Sequence, residues 1–130
     1  MKRLQGWRGF TLIELLISLA IVGILMTIAL PSYRVFQTRT VATEGALSLL
    51  TIASVQERAR FVRGRYLDYQ QLLPMIHLPR RVEQHFQLVV NVADGAGHYV
   101  LHLVPKPTRL GLEEITLDSL GRRHPERLWR

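Results

Sequence analysis

The stretch Gly9-Phe10-Thr11-Leu12-Ile13-Glu14 lies at the junction between a short basic leader and a long apolar run. The run from Phe10 to Leu30 contains 21 residues and a single charge, that of Glu14. As an α-helix rising about 1.5 Å per residue it would be about 31 Å long, enough to cross a hydrocarbon core of about 30 Å. The stretch therefore predicts a membrane-length helix, and the rest of the chain is too polar to share its environment.

The charges around this run predict its orientation. Lys2, Arg3 and Arg8 precede it, and short positive flanks tend to stay in the cytoplasm, which places the C-terminal domain across the membrane. A secretory signal peptide or a plain signal anchor would have the same charges. The run is longer than the roughly 7–15 residues of a signal-peptide core, however, and no cleavage site of the Ala-x-Ala kind follows it.

Glu14 distinguishes the run from a plain anchor. A carboxylate inside a spanning helix costs about 2.5–3.5 kcal/mol on insertion scales, and such residues are functional candidates. A signal anchor explains the length and the flanking charges but gives no reason for this acid.

Composition limits the remainder of the chain. The 130 residues leave about 100 after the apolar run, enough for one modest core. The net charge of +7 is compatible with nucleic acid, anionic lipid or an acidic partner, but the scattered arginines favour a solvated surface. The chain has no cysteine, which excludes a disulfide framework and a thiolate metal site.

The motif Gly9-Phe10-Thr11-Leu12-Ile13-Glu14-Leu15 strongly resembles the prepilin signature of type IV pilins and type II secretion pseudopilins. The resemblance implies cleavage between Gly9 and Phe10 by prepilin peptidase on the cytoplasmic side, and N-methylation of the new Phe10 terminus. It also implies that the apolar helix holds the subunit in the inner membrane, with its head in the periplasm. An assembly platform in that membrane would then pass the helix into the core of an extracellular helical filament of pilin subunits.

Two residues of this segment are candidates for a role in assembly. In a filament, Glu14 would have a partner in the positive amine of Phe10 on an adjacent subunit, and such a pair in low dielectric could set axial register. Pro31 resembles the proline at which pilin helices bend or melt on assembly, and it could equally mark the exit from the membrane.

Hydrophobic periodicity predicts the head. Residues 32–63 continue as an amphipathic helix whose apolar stripe must pack on a sheet; the stripe comprises Val41, Ala42, Ala46, Leu49, Leu50 and Ala53. A connecting loop, 64–84, follows. Alternating apolar residues then predict three antiparallel strands within 85–121, with a turn at 94–97, and 122–130 form a C-terminal tail. The predicted class is α+β, a long helix packed on a small antiparallel sheet, which resembles the pilin fold.

The end of the chain resembles minor pilins of the type IVa system. The similarity lies in the stretch Ile115-Thr116-Leu117-Asp118-Ser119-Leu120-Gly121 and in a tryptophan near the terminus, Trp129. Those proteins commonly carry a cysteine pair here. Because this chain has none, packing alone must hold its last residues.

No enzyme is predicted, because no acid, base and nucleophile fall at a recognisable spacing and no phosphate-binding loop is present. Three histidines, His85, His98 and His102, suggest a metal-binding face, but exposed polar positions on a sheet explain them better; we expect no metal or other cofactor. A cluster of basic residues offers a surface for DNA: Arg58, Arg60, Arg63 and Arg65. Few aromatic residues accompany it, which weakens that interpretation.

The sequence therefore predicts a structural subunit of a type IV pilus, more specifically a minor pilin that supports pilus assembly, adhesion or twitching motility. Two alternatives remain at this point. One is a type II secretion pseudopilin, and the other is a DNA-binding pilin-like subunit of DNA uptake.

Overall fold

The computed structural model describes residues 9–93, 95 and 97–130. Its elements are α1 (Leu12–Arg63), α2 (Tyr69–Leu72), a 3₁₀ turn (Leu73–Met75), α3 (Arg80–His85), β1 (Phe86–Val92), β2 (Tyr99–Pro105), β3 (Ile115–Asp118), β4 (Arg123–His124) and a second 3₁₀ turn (Glu126–Leu128). The predicted α+β class is confirmed. Most of the predicted leader and part of the predicted turn at 94–97 lie outside the described residues.

The four strands form one antiparallel sheet in the order β1-β2-β3-β4. In β1 and β2, Phe86 pairs with Pro105 and Val92 with Tyr99. In β2 and β3, Leu101 pairs with Leu117. Because side chains alternate between the faces of a strand, this register collects the apolar residues of β1, β2 and β3 on one face.

The part of α1 that follows Phe36 packs its apolar stripe on that face. Its buried positions recur every three or four residues, as a helix with one covered side requires. They are Val41, Ala42, Gly45, Ala46, Ser48, Leu49, Ile52, Gln56 and Ala59. Opposite them lie Phe86, Leu88, Tyr99, Leu101, Leu103, Ile115 and Leu117, and the connection contributes Tyr66, Leu67, Leu72 and Val82. The core therefore belongs entirely to residues 36–130, which form one of the two compact units of the chain.

A glycine sets how closely α1 approaches the sheet. A Cβ built on Gly45 would lie 3.2 Å from Cδ1 of both Ile115 and Leu103, and 3.5 Å from a ring carbon of Phe86. These separations are at or below ordinary van der Waals contact. The small residue therefore lets three sheet side chains pack directly on the helix backbone.

Two tyrosines connect the end of α1 to the sheet. The rings of Tyr66 and Tyr99 meet edge to face with centroids 4.7 Å apart, and the Tyr66 hydroxyl donates to Glu57 Oε1 at 3.1 Å. Burial, followed by the nearby Glu57 carboxylate, raises the pKa of Tyr99 above its ordinary value. Both tyrosine hydroxyls therefore stay neutral. The two rings pack in the core, and their hydroxyl groups form hydrogen bonds with Glu57.

The turn after β3 is organised by one carboxylate. Asp118 accepts hydrogen bonds from Leu120 N at 3.0 Å and Arg122 N at 2.8 Å, and its other oxygen accepts from Arg122 Nε at 2.6 Å. Gly121 occupies the left-handed region at φ +78° inside this turn. The turn directs the chain back into β4.

The last residues are held by packing, as the missing cysteines require. Leu128 and Trp129 pack against the core, and the Arg123 guanidinium carbon lies 5.2 Å from the centre of the Trp129 ring. Arg127 forms an ion pair with Glu113, which ties the second 3₁₀ turn to the segment before β3.

The structure differs from the predicted boundaries at several points. The region expected to be a loop, 64–84, contains α2, a 3₁₀ turn and most of α3. The sheet has a fourth strand, β4, inside the predicted tail. Leu50, which belongs to the predicted apolar stripe of α1, is 37% exposed. Ser48, which does not belong to that stripe, is buried. Ser48 can be buried because its hydroxyl donates to Glu44 O at 2.8 Å.

Candidate functional site

The N-terminal part of α1 has a continuous apolar surface. Every large apolar side chain from Phe10 to Leu30 is exposed, from 48% at Val22 to 80% at Phe10. Helix α1 is long and apolar enough to cross a membrane by length and composition, with a mean hydropathy of 2.5 in its most apolar window and none of that window buried. Such a surface needs a partner other than water, either lipid or protein.

Glu14 has a local partner at the start of α1. Its Oε2 accepts hydrogen bonds from Thr11 N and Thr11 Oγ1, both at 2.9 Å. In return, Glu14 N–H donates to Thr11 Oγ1 at 3.3 Å. This reciprocal pattern is a capping box, which satisfies N–H groups that the first turn of a helix leaves free. Its signal in the sequence is Thr followed three residues later by Glu, which hydrophobic periodicity does not detect.

The predicted processing residues lie directly before this cap. Gly9 and Phe10 are exposed and precede α1 without belonging to it. A bond between them is therefore open to an enzyme, and a new amine at Phe10 would stand one residue before the capping Thr11. The structure thus places Gly9 and Phe10 directly before the cap and Glu14 in the first turn of α1. Their roles in processing and assembly remain predictions.

Pro31 lies inside α1 and does not end it. A proline has no N–H to give to the carbonyl four residues earlier, here that of Thr27. Two nearby hydroxyl groups donate hydrogen bonds to backbone carbonyls of the preceding turns. Thr27 Oγ1 donates to Ile24 O at 2.6 Å, and Ser32 Oγ donates to Ile28 O at 3.2 Å. The helix is therefore continuous here with one bond fewer, and a role for Pro31 in assembly stays a prediction.

The four arginines considered for DNA are all exposed at or just after the end of α1. Arg60 has other partners, because its Nη1 donates to Gly64 O at 2.8 Å and its guanidinium carbon lies 5.5 Å from the centre of the Tyr66 ring. Of the two nearby aromatic residues, Tyr66 is buried whereas Phe61 is 92% exposed. The surface left to a ligand therefore consists of Arg58, Arg63, Arg65 and Phe61.

The three histidines do not form a metal face. His85 ends α3, His98 precedes β2 and bonds Ser119 Oγ through Nδ1 at 2.7 Å, and His102 Nδ1 lies 2.7 Å from Glu114 Oε1. Within the part of the chain that the structure describes, no group of three metal-binding side chains comes together.

Comparison with known proteins finds relatives over part of the chain. A model of the prokaryotic N-terminal methylation motif matches residues 8–30. Over 62 residues the chain is 42% identical to the type IV major pilin protein PilA of Myxococcus xanthus, a match that covers 48% of this chain and 28% of that protein. Over these matched residues the chain is similar to type IV pilins.

Other pilins are similar over comparable lengths. A fimbrial protein of Pseudomonas aeruginosa is 39% identical over 56 residues, a match that covers 43% of this chain and 36% of that protein. The type IV major fimbrial protein FimA of Dichelobacter nodosus is 53% identical over 45 residues, a match that covers 35% of this chain and 27% of that protein. The matched segments thus span about a quarter to a third of these relatives. No solved structure is a significant match to this chain.

Proposed function

We propose that this chain is a pilin, a structural subunit of a type IV pilus, and that it acts as a minor pilin in pilus assembly, supporting adhesion or twitching motility. Before assembly the subunit is a single-pass inner-membrane protein with its head in the periplasm. Prepilin peptidase cuts between Gly9 and Phe10, and its methylase activity modifies Phe10. An inner-membrane platform then transfers the subunit into an extracellular filament with other pilins.

One observation carries this proposal: the first part of α1, Leu12 to Leu30, starts two residues after Phe10, inside the matched methylation motif, and all its large apolar side chains are exposed. Lipid satisfies this surface before assembly, since all backbone bonds of a helix are internal. In a filament the same surface packs on the helices of neighbouring subunits. The head needs none of this surface, because its core lies wholly within residues 36–130.

Glu14 has two roles in this proposal. In the free subunit it completes the cap with Thr11. In the filament its carboxylate pairs with the Phe10 amine of an adjacent subunit, away from water. Burying two opposite charges as a pair is far less costly than burying either alone, so this contact favours one axial register over others.

Pro31 makes the same helix easier to bend. The missing N–H lowers the cost of bending or opening α1 next to Thr27. A subunit moving from a flat membrane into a curved filament core can use that freedom.

The minor-pilin assignment is the finer part of the proposal. It is supported by the resemblance of Ile115–Gly121 and Trp129 to minor pilins, whereas two of the relatives named above, PilA and FimA, are major subunits. Filaments sheared from the cell surface and quantified by mass spectrometry test both levels. We expect this chain in the filaments at a small fraction of the main subunit. A dominant amount would overturn the minor role, and absence from the filaments would overturn the proposal.

DNA binding is a second candidate function, favoured by one observation. Phe61 is 92% exposed beside the exposed Arg58 and Arg65, so a base could stack on its ring while phosphates meet the arginines. Retention of labelled DNA by the detergent-solubilised chain, measured across a salt series, tests it. Binding that falls with salt and is lost in Phe61→Ala with Arg65→Ala supports this function, and no retention at low salt contradicts it.

A further inference from the structure

A histidine and a serine meet at one end of the sheet. His98 Nδ1 lies 2.7 Å from Ser119 Oγ, and both residues are partly exposed to solvent. The two residues are 21 positions apart in the chain, so no local motif indicates the pair. A nucleophile and a base within hydrogen-bond distance are the first requirement for an activated hydroxyl.

Backbone hydrogen bonds fix both residues. Ser119 N–H donates to Tyr99 O at 3.0 Å, which extends the pairing of β2 with β3. Ala93 N–H donates to His98 O at 2.9 Å and so closes the connection between β1 and β2. The sheet therefore holds the backbone on both sides of the contact between the two side chains.

The hydrogen bonds of Ser119 favour one direction of donation. Its Oγ accepts from Tyr99 N–H at 3.4 Å, so its own hydrogen can point at His98 Nδ1. In the other tautomer, Nδ1–H would donate to Oγ, and the hydroxyl hydrogen would need a water molecule as its acceptor. The first arrangement gives that hydrogen a partner within the protein. In it, His98 Nδ1 is an acceptor in the position of a general base.

This contact distinguishes Ser119 from the other serines of the chain. Ser18, Ser32, Ser48 and Ser54 lie in α1, and each hydroxyl donates to a backbone carbonyl three or four residues earlier. A carbonyl oxygen takes no proton near neutral pH, whereas an imidazole nitrogen does. Of the serines, all of which lie within the described residues, only Ser119 has its hydroxyl against a base.

We propose that Ser119 is a site of covalent modification that accepts an acyl group from an activated ester or thioester. Ser119 Oγ forms a bond to the acyl carbon, and the bond from that carbon to the leaving group breaks. His98 Nδ1 takes the hydroxyl proton and passes it to the leaving group. The site lies in the head, and it does not rest on the proposed pilus function.

The surrounding backbone indicates that the acyl group stays on the serine. Enzymes that turn over acyl groups hold the developing oxyanion with N–H groups that have no other acceptor. Here the N–H groups of the turn after β3 are already bonded, that of Ser119 to Tyr99 O and those of residues 120–122 to Asp118. The turn therefore offers no such donor, so only activated donors react, and hydrolysis of the acylated serine is slow.

Acetylation of the full-length chain in detergent micelles by p-nitrophenyl acetate tests the proposal. Peptide mapping by mass spectrometry locates the acetyl groups over a time course. Ser54 is the internal control, because it is exposed and its hydroxyl bonds a backbone carbonyl. His98→Asn keeps a hydrogen-bonding side chain beside Ser119 but removes the base. His102→Asn is the matched control at another partly exposed histidine of the sheet.

We expect Ser119 to be acetylated about tenfold faster than Ser54 or more, and His98→Asn to lower the Ser119 rate about tenfold or more, because general bases contribute about 10²–10⁴-fold in optimised sites. His102→Asn should leave the rate unchanged. Equal rates at Ser119 and Ser54, an unchanged rate in His98→Asn, or an equal loss in His102→Asn overturns the proposal. Should His98→Asn not keep the circular dichroism spectrum of the wild type, His98→Gln takes its place under the same criteria.

Discussion

Gln56 holds the backbone of Leu67 with both ends of its side-chain amide. Gln56 Nε2 donates to Leu67 O at 2.7 Å, and Leu67 N–H donates to Gln56 Oε1 at 2.8 Å. Neither residue is exposed to solvent. A buried side chain therefore holds the segment that leaves α1 against the helix, and the residue that it holds lies directly before Asp68, the N-cap of α2.

Replacing Gln56 by Leu should destabilise the head strongly. The volume is nearly kept, but Leu67 N–H and C=O lose their partners, and each unpaired buried group costs about 1–3 kcal/mol. We expect the free energy of unfolding to fall by about 2–6 kcal/mol, measured by urea titration of the full chain in detergent. Gln84→Leu, at an exposed position of α3, is the matched control. Equal effects of the two changes would contradict the importance of this contact.

The Asp118 turn should make the head sensitive to acid. Burial of the carboxylate acts to raise its pKa, but hydrogen bonds from Arg122 and Leu120 outweigh burial and hold the pKa below its ordinary value of 3.8. A depressed folded pKa contributes stability above the unfolded pKa and loses it as the pH falls through the folded pKa. Wild-type stability should therefore drop below about pH 4.

Asp118→Ala should remove that acid-dependent part. The substitution leaves three donors of the turn without their acceptor, and hydrogen bonds to charged groups contribute about 1.5–3 kcal/mol. We expect a loss of this size at neutral pH and a smaller difference from wild type near pH 3, measured by thermal unfolding at each pH. A difference that does not shrink with acid would contradict the role of the ionised carboxylate.

Gly45 should tolerate only small residues. Alanine would bring a Cβ to 3.2 Å from Leu103 and Ile115 side-chain ends, which can move slightly, and it gains about 1 kcal/mol of helix propensity. We expect Gly45→Ala to change stability by less than about 1 kcal/mol. Gly45→Leu should lose about 1–3 kcal/mol or more through overpacking. Ser54→Leu, at an exposed position of α1, is the control and should be nearly neutral.

Two substitutions separate the capping role of Glu14 from its proposed role in assembly. Glu14→Gln keeps a side chain that can complete the cap with Thr11 but removes the charge. Thr11→Ala breaks the cap, at a cost of about 0.5–2 kcal/mol, and keeps the charge. An unpaired Phe10 amine in the filament core costs about 3–5 kcal/mol. We therefore expect Glu14→Gln subunits to be lost from sheared filaments and Thr11→Ala subunits to be retained. The reverse pattern would assign Glu14 to the cap alone.

The sequence predicted those parts of the fold that depend on periodicity. The spacing of Val41, Ala46 and Leu49 predicted the buried face of α1, and alternation predicted β1 and β2, because burial on one side imposes a repeat of 3.6 or 2 residues. The predicted end of the amphipathic helix at residue 63 agrees with the end of α1, and Gly64 follows with φ at +73°. The N-terminal signature predicted the similarity to type IV pilins.

The elements that were missed depend on contacts between distant residues. Strand β4 has two residues, too few to show an alternation of apolar and polar side chains. It forms because the Asp118 turn brings the chain back beside β3. Helix α3 follows two prolines and has few apolar residues; an ion pair between Arg81 and Glu44 at 3.1 Å ties it to α1. The burial of Gln56 could not be predicted either, because the sequence does not show that the side chain of a single polar helix residue bonds the backbone of Leu67.

The central claim is that the chain becomes a mature pilin subunit by cleavage between Gly9 and Phe10. Mass spectrometry of the N-terminal peptide, taken from filaments sheared off the cell surface, tests it most directly. The account predicts a peptide that starts at Phe10 and carries one methyl group on its amine. A filament peptide that still begins in the basic leader, or that starts at any residue other than Phe10, would contradict it.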